Sequence, residues 1–156
     1  MEIGGQYNTE MSYRKTAHSV YDLKYHVVWI TKYRRPILKG EIGIRLRELV
    51  RQTCATMEVY ILSGHVGIDH VHLLVSVPPM VSVSELMKRI KGRSSRKMLQ
   101  EFEGLKRRYW GGHLWARGYF AASSGNVTDE MVKEYIEKQS KRAPTDEEDN
   151  FGVAEL

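Results

Sequence analysis

At 156 residues, with 42% hydrophobic and 28% charged side chains, the chain has the make-up of one globular domain large enough to bury a core. No run approaches the ~18 apolar residues of a membrane span, and the start lacks the apolar stretch of a secretion signal, so a soluble, cytoplasmic protein is expected. The single cysteine, Cys54, excludes an internal disulfide framework and a cysteine-based zinc cluster. Net charge is +5, but residues 141–156 carry five acids and two bases, so the first 140 residues hold 22 bases against 14 acids. A basic body with an acidic tail points to a polyanionic partner.

Residues 1–20 are rich in Gly, Ser, Thr and Asn, show no clean period, and read as a flexible leader. Asp22 to Tyr33 is dense in β-branched and aromatic residues and reads as a strand, ended by Arg34-Arg35-Pro36. From Glu41 to Met57, apolar residues at Ile42, Leu46, Leu49, Val50, Cys54 and Met57 trace one helix face. Val59 to Val66 reads as a second strand, and a third follows at once, carrying His70 and His72 and halted by Pro78-Pro79. Ser82 and Glu85 fit a capping box opening a helix from Val83 to about Phe102. Tyr109 to Leu114 is a Gly-broken loop, and Trp115 to Ser124 reads as a fourth strand. Thr128-Asp129-Glu130 opens a last helix to about Lys141. Residues 141–156 are expected to be disordered. Strand, helix, strand, strand, helix, strand predicts an α+β, ferredoxin-like antiparallel sheet with helices on one face, plus an extra C-terminal helix.

The segment GIDHVHLLVSVPP, Gly67 to Pro79, carries the most chemistry. Residues two apart on a strand share a face, so His70 and His72 project together while Val71, Leu73, Val75 and Val77 enter the core. Such a pair is either two ligands of one metal ion or the solvated face of a half-buried strand. In the last helix Tyr135 and Gln139 are four apart and share a face. Tyr135 is either an aromatic that packs the helix down or a nucleophile, with the Gln139 amide oxygen offered to the same metal. Tyr119, in a strand beside Phe120 and Trp115, is the rival nucleophile but reads as packing. Asp69 is either an acceptor for an imidazole N–H or a turn cap. Lys88, Arg89, Lys91, Arg93, Arg96 and Lys97, with Lys106, Arg107 and Arg108 beyond, form a solvated helix face or a phosphate track, for which Tyr109, Trp110 and Trp115 would be stacking platforms.

The run DHVHLL, the basic helix after it, WGGHLWARGYF and then EYIEKQ occur in an order that resembles the single-tyrosine HUH transposases of the insertion sequence 200/605 family. The resemblance covers residues 21–140. It implies that His70 and His72 bind Mg²⁺ or Mn²⁺ with Gln139. It implies that Tyr135 attacks single-stranded DNA at element ends to give a 5′-phosphotyrosine and a free 3′-OH. It also implies recognition of a subterminal DNA hairpin by a homodimer whose active sites combine the histidines of one subunit with the tyrosine helix of the other. Ile68 and His113 stand where relatives commonly have Pro and Asn. Two imidazoles and one amide oxygen leave positions for phosphate oxygens and water on an octahedral ion, which suits Mg²⁺ or Mn²⁺. The same site could serve a domesticated nuclease or a replication initiator, and the scaffold alone could be a non-catalytic single-strand-binding module.

Overall fold

A computed structural model describes residues 2–3, 13–123 and 128–140. Two short strands come first, β1 (Arg14–Lys15) and β2 (Val20–Tyr21), followed by β3 (Lys24–Ile30) and α1 (Gly40–Thr56). The hairpin β4 (Tyr60–Val66) and β5 (His70–Ser76) leads into α2 (Val83–Glu101), a short α3 (Glu103–Arg108), β6 (Phe120–Ser123) and α4 (Asp129–Ser140). The strands β4, β5, β3 and β6 form, in that order, one antiparallel sheet. The chain is thus a mixed α+β protein built on a four-stranded antiparallel sheet.

The alternation read from the sequence decides the two sheet faces. Val27 and Trp29 of β3 and Val71, Leu73 and Val75 of β5 are fully buried under α1 and α2 with Leu46, Leu49, Val50, Leu86, Met87 and Ile90. Cys54 lies in this core, where burial pushes its thiol up to about 12, so it fills space and carries no reactive thiolate. On the opposite face Val28 and Ile30 pack with Val132 and Ile136 of α4. Among the described residues three layers result, with α4 on the histidine-bearing side. Ser82 caps α2 as expected, its hydroxyl accepting from Glu85 N–H at 3.1 Å.

Several boundaries differ from the sequence reading. The first long strand stops at Ile30, because the chain turns through Tyr33 and Arg34 at φ 61° and 51° while the Thr31 hydroxyl donates to Arg35 O at 2.9 Å. Of the expected strand from Trp115, only Phe120–Ser123 is continuous, with a single bridge joining Trp115 to Thr31. The leader is partly built in: Ile3 is fully buried and donates its N–H to Gly64 O at 2.8 Å, and Arg14–Lys15 pairs with Val20–Tyr21. The acidic tail lies outside the described residues.

Three residues assigned to a nucleic-acid surface are core residues, the first being Tyr109, 4% exposed beneath the Arg35 guanidinium. Lys91 is 4% exposed, and its ammonium donates to Ala116 O at 2.9 Å and Gly118 O at 2.8 Å, tying α2 to the loop before β6. Trp115 is 6% exposed, stands edge-on to Trp29 with ring centroids 5.8 Å apart, and donates Nε1–H to Ser94 Oγ at 2.9 Å. The density of bases groups Lys91 with its neighbours, but helical spacing puts it on the buried stripe with Met87, Ile90 and Ser94. Lys91→Met is expected to leave two carbonyls without this donor and to cost about 2–4 kcal/mol in chemical denaturation. Nucleic-acid affinity should not change; weaker binding at unchanged stability would restore Lys91 as a contact.

Candidate active site

The antiparallel register between β3 and β5 sets His70 opposite Ile30 and His72 opposite Val28. His72 also faces His65 of β4, and Val28 faces Phe120 of β6. One row across the sheet therefore reads His65, His72, Val28, Phe120. The Tyr135 ring lies against that of Phe120, with centroids 5.7 Å apart, and Tyr135 and Gln139 are both half-buried on α4. The row thus brings the histidine pair and the tyrosine helix to the same sheet face.

His70 is held from two sides. Gly67 N–H donates to His70 O at 2.8 Å, closing the tight turn between β4 and β5. The His70 ring lies directly over Gly67, where a Cβ would come within 2.8 Å of Nδ1 and 2.9 Å of Nε2. Asp69 Oδ1 lies 2.8 Å from His70 Nδ1, and Arg34 Nε donates to Asp69 Oδ2 at 2.9 Å. Burial pushes the Asp69 carboxyl up, but the hydrogen bonds from His70 and Arg34 outweigh it and the net shift is downward. The carboxylate can only accept, so the His70 Nδ1 carries the proton and a neutral ring has its lone pair on Nε2. Asp69 is therefore the imidazole acceptor, not merely a turn cap. Arg34 also approaches Ile136 O of α4 at 3.5 Å, so one side chain spans from the His70 carboxylate to the tyrosine helix.

His72 has a different neighbour, His26 of β3, whose Nδ1 lies 3.0 Å from His72 Nε2. The signal for this contact in the sequence is spacing, since His26 stands two residues before Val28 on the same strand face. Burial lowers the pKa of His72 below 6.5, helped by His26 and His70 and opposed by Asp129, and burial lowers His26 as well. With both folded-state values depressed, the unfolded chain binds more protons as pH falls below 6.5. The contribution of these rings to stability is fully present above that value and is lost below it. Unfolding free energies should therefore decline from about pH 6.5 towards pH 5, with a shallower decline in His72→Gln. A slope unchanged in that variant would remove His72 from the account.

Among the described residues no three His, Cys, Asp or Glu side chains gather where one metal ion could sit. An ion here would rest on two imidazoles and a non-acidic donor, the set offered by His70, His72 and Gln139. His70 fits such a role best, with Asp69 fixing its ring.

The basic residues divide. Lys88, Arg89 and Arg96 are exposed on the outer side of α2, across the sheet from the histidines, and Arg89 pairs with Glu85 at 2.9 Å. Lys97 is half-buried. Arg93 is turned onto α1, donating to Gln52 Oε1 at 2.8 Å. Arg107 and Arg108 are exposed at the end of α3, and Trp110 just beyond is 90% exposed. Arg35 donates to Arg108 O at 2.7 Å and stands over the rings of Tyr33 and Tyr109, so this basic and aromatic group adjoins the turn that carries Arg34.

A fold of this kind, with a histidine pair and a tyrosine helix on one sheet face, has a matching family. The family described as IS200-like transposases matches residues 19–139, and the chain belongs to it. Membership makes it one of a group of DNA-processing enzymes. Among individual relatives, it is 36% identical over 120 residues to the ISDra2 transposase TnpA of Deinococcus radiodurans, covering 77% of this chain and 86% of that one. It is 34% identical to the transposase of insertion sequence element IS200 of Salmonella typhimurium, covering 89% and 87%. A crystal structure of a transposase from Deinococcus radiodurans R1 superposes with a TM-score of 0.75 at 33% identity, over 81% of this chain and 97% of that one. A REP-associated tyrosine transposase bound to a REP hairpin shares the fold at a TM-score of 0.52 and 15% identity, over 81% and 76%. No described helix is long and apolar enough to cross a membrane.

Proposed function

We propose that this transposase cleaves and rejoins single-stranded DNA at the ends of an insertion sequence, with Tyr135 as the nucleophile on a ferredoxin-like scaffold. The observation that carries the reading is the packing of α4 on the histidine face, Val132 and Ile136 against Val28 and Ile30, beside the row that holds His72. The strand order β4-β5-β3-β6 supports the scaffold assignment. In the reaction the Tyr135 phenol oxygen forms a bond to the scissile phosphorus and the bond to the 3′-oxygen breaks. The phenol proton is lost, the 3′-oxygen takes one up, and a 5′-phosphotyrosine keeps the phosphodiester for rejoining. Mg²⁺ or Mn²⁺, held by His70, His72 and Gln139, would supply charge neutralisation at the scissile phosphate. Asp69 and Arg34 orient the His70 ring. The group Arg35, Arg107, Arg108 and Trp110 is the entry path for the strand, by charge and stacking; Lys91 and Trp115 have no part in it.

Incubation of the protein with a labelled strand from its own element end, in Mg²⁺ or Mn²⁺, tests the reading. A covalent, protease-sensitive adduct is expected. Strand binding without an adduct and without metal dependence would leave a non-catalytic single-strand-binding module. Recognition of a DNA hairpin belongs to the same proposal, as does a homodimer with exchanged tyrosine helices. Packing of α4 within one chain favours a second arrangement, a site complete in each subunit. Mixed dimers of Tyr135→Phe with His72→Ala separate the two, because adduct formation is restored only if tyrosine helices act across the interface.

A further inference from the structure

We propose that His26 is a positioning residue for His72: its Nδ1 accepts the His72 Nε2–H and so leaves His72 Nδ1 as the nitrogen with a free lone pair. The inference rests on the metal reading above and adds one more side chain to the site. It starts from the register. His26 is opposite Leu74 on β5, one step along from the Val28–His72 pair and on the same sheet face. His72 reaches diagonally to it, with ring centroids 5.2 Å apart and planes tilted by 43°, and the Nδ1···Nε2 distance of 3.0 Å is that of a hydrogen bond. Between two neutral imidazoles one nitrogen must donate and the other accept, so the contact fixes complementary tautomers on the two rings.

The direction of the bond follows from what a ligating histidine does. It gives its second ring N–H to an acceptor, which sets its tautomer and orients the ring. The nitrogen of His72 that is already engaged is Nε2, so Nε2 is the donor and Nδ1 the ligand. His70 is arranged the other way round, with Nδ1 at 2.8 Å from Asp69 and Nε2 left over. The two imidazoles therefore present different nitrogens, each anchored through the other by its own partner, a carboxylate for His70 and an imidazole for His72. His65, which faces His72 across the β4–β5 register, is tied instead to Glu2, whose carboxylate lies 3.2 Å from its Nδ1. An imidazole partner carries no charge, so it fixes His72 without adding a second anion next to the scissile phosphate.

Nitrogen-15 spectra of the imidazoles in the full chain without metal, together with Mn²⁺ titration by calorimetry, test this in the wild type, His26→Leu and His26→Asn. Circular dichroism establishes that each variant folds. The wild type should show His72 as the Nε2–H tautomer. His26→Leu should lose that bias and bind Mn²⁺ about 10- to 100-fold more weakly, the usual cost of removing a ligand's partner. His26→Asn, which returns an acceptor near the Nδ1 position, should recover most of the loss. A wild-type His72 protonated on Nδ1, or Mn²⁺ affinity unchanged in His26→Leu, overturns the assignment. A wild type with the stated tautomer that takes up no Mn²⁺ overturns instead the metal reading, and with it the ligand role of His72 Nδ1.

Discussion

Tyr135→Phe is expected to abolish the covalent protein–DNA adduct while leaving fold and strand binding in place. The substitution removes one oxygen and keeps the ring that packs against Phe120. Stability should therefore change by no more than about 1 kcal/mol, whereas loss of a nucleophile costs on the order of 10⁴-fold or more in rate. The companion variant is Tyr119→Phe. Tyr119 packs, half-buried, against the main core under α1 and α2, while Tyr135 packs with Val28 and Ile30 on the histidine face. If the adduct persisted in Tyr135→Phe and vanished in Tyr119→Phe, the nucleophile would be on the wrong side of the sheet for the mechanism above.

Gly67→Ala should have the second-largest effect on activity, without a matching loss of stability. Gly67 does not have a positive φ, so its backbone accepts alanine. The obstacle is the His70 ring, which a Cβ would displace from its position over the turn. Moved off, His70 loses the 2.8 Å contact with Asp69 that fixes its tautomer. Cleavage is expected to fall about 10²-fold, the scale of misplacing a catalytic group by about 1 Å. Melting temperature should barely move. Gly64→Ala is the contrasting control on the preceding strand, because there the Cβ would meet Leu73 Cδ2 at 2.6 Å and Ile3 Cβ at 3.2 Å, both in the core. It should destabilise first and lose activity only through unfolding. Equal rate losses at equal stability in both variants would mean that the His70 position is not what Gly67 protects.

Periodicity made the elements legible. Alternation in β3 and β5 separated the core face from the histidine face, and the Ser82 cap and the apolar stripes of α1 and α2 lie where the spacing put them. What escaped were contacts between segments distant in the chain. Helical spacing puts Lys91 on the buried stripe with Met87 and Ser94, but its carbonyl partners, 25 and 27 residues further on, are not marked by any local pattern. Trp115 was misread as a stacking platform for the same reason: its partners Trp29 and Ser94 are remote in sequence. His26 and Arg34 join the site only through strand register and a left-handed turn, neither of which a local pattern specifies. In the site itself, the histidine pair was readable as two residues on one face, with Asp69 as one reading of an imidazole acceptor, but the contact of His72 with His26 was not.

The burial of Ile3 has a practical side. Sheet edges with free N–H and C=O groups are templates for pairing with another chain. Glu2 and Ile3 lie along the outer edge of β4, bridging to His65 and Gly64, and partly close it. A shortened version that discards these residues as a dispensable leader would uncover that edge and remove a core side chain together. It would be a poor candidate for a soluble preparation, and a purification handle is better attached at the other end of the chain.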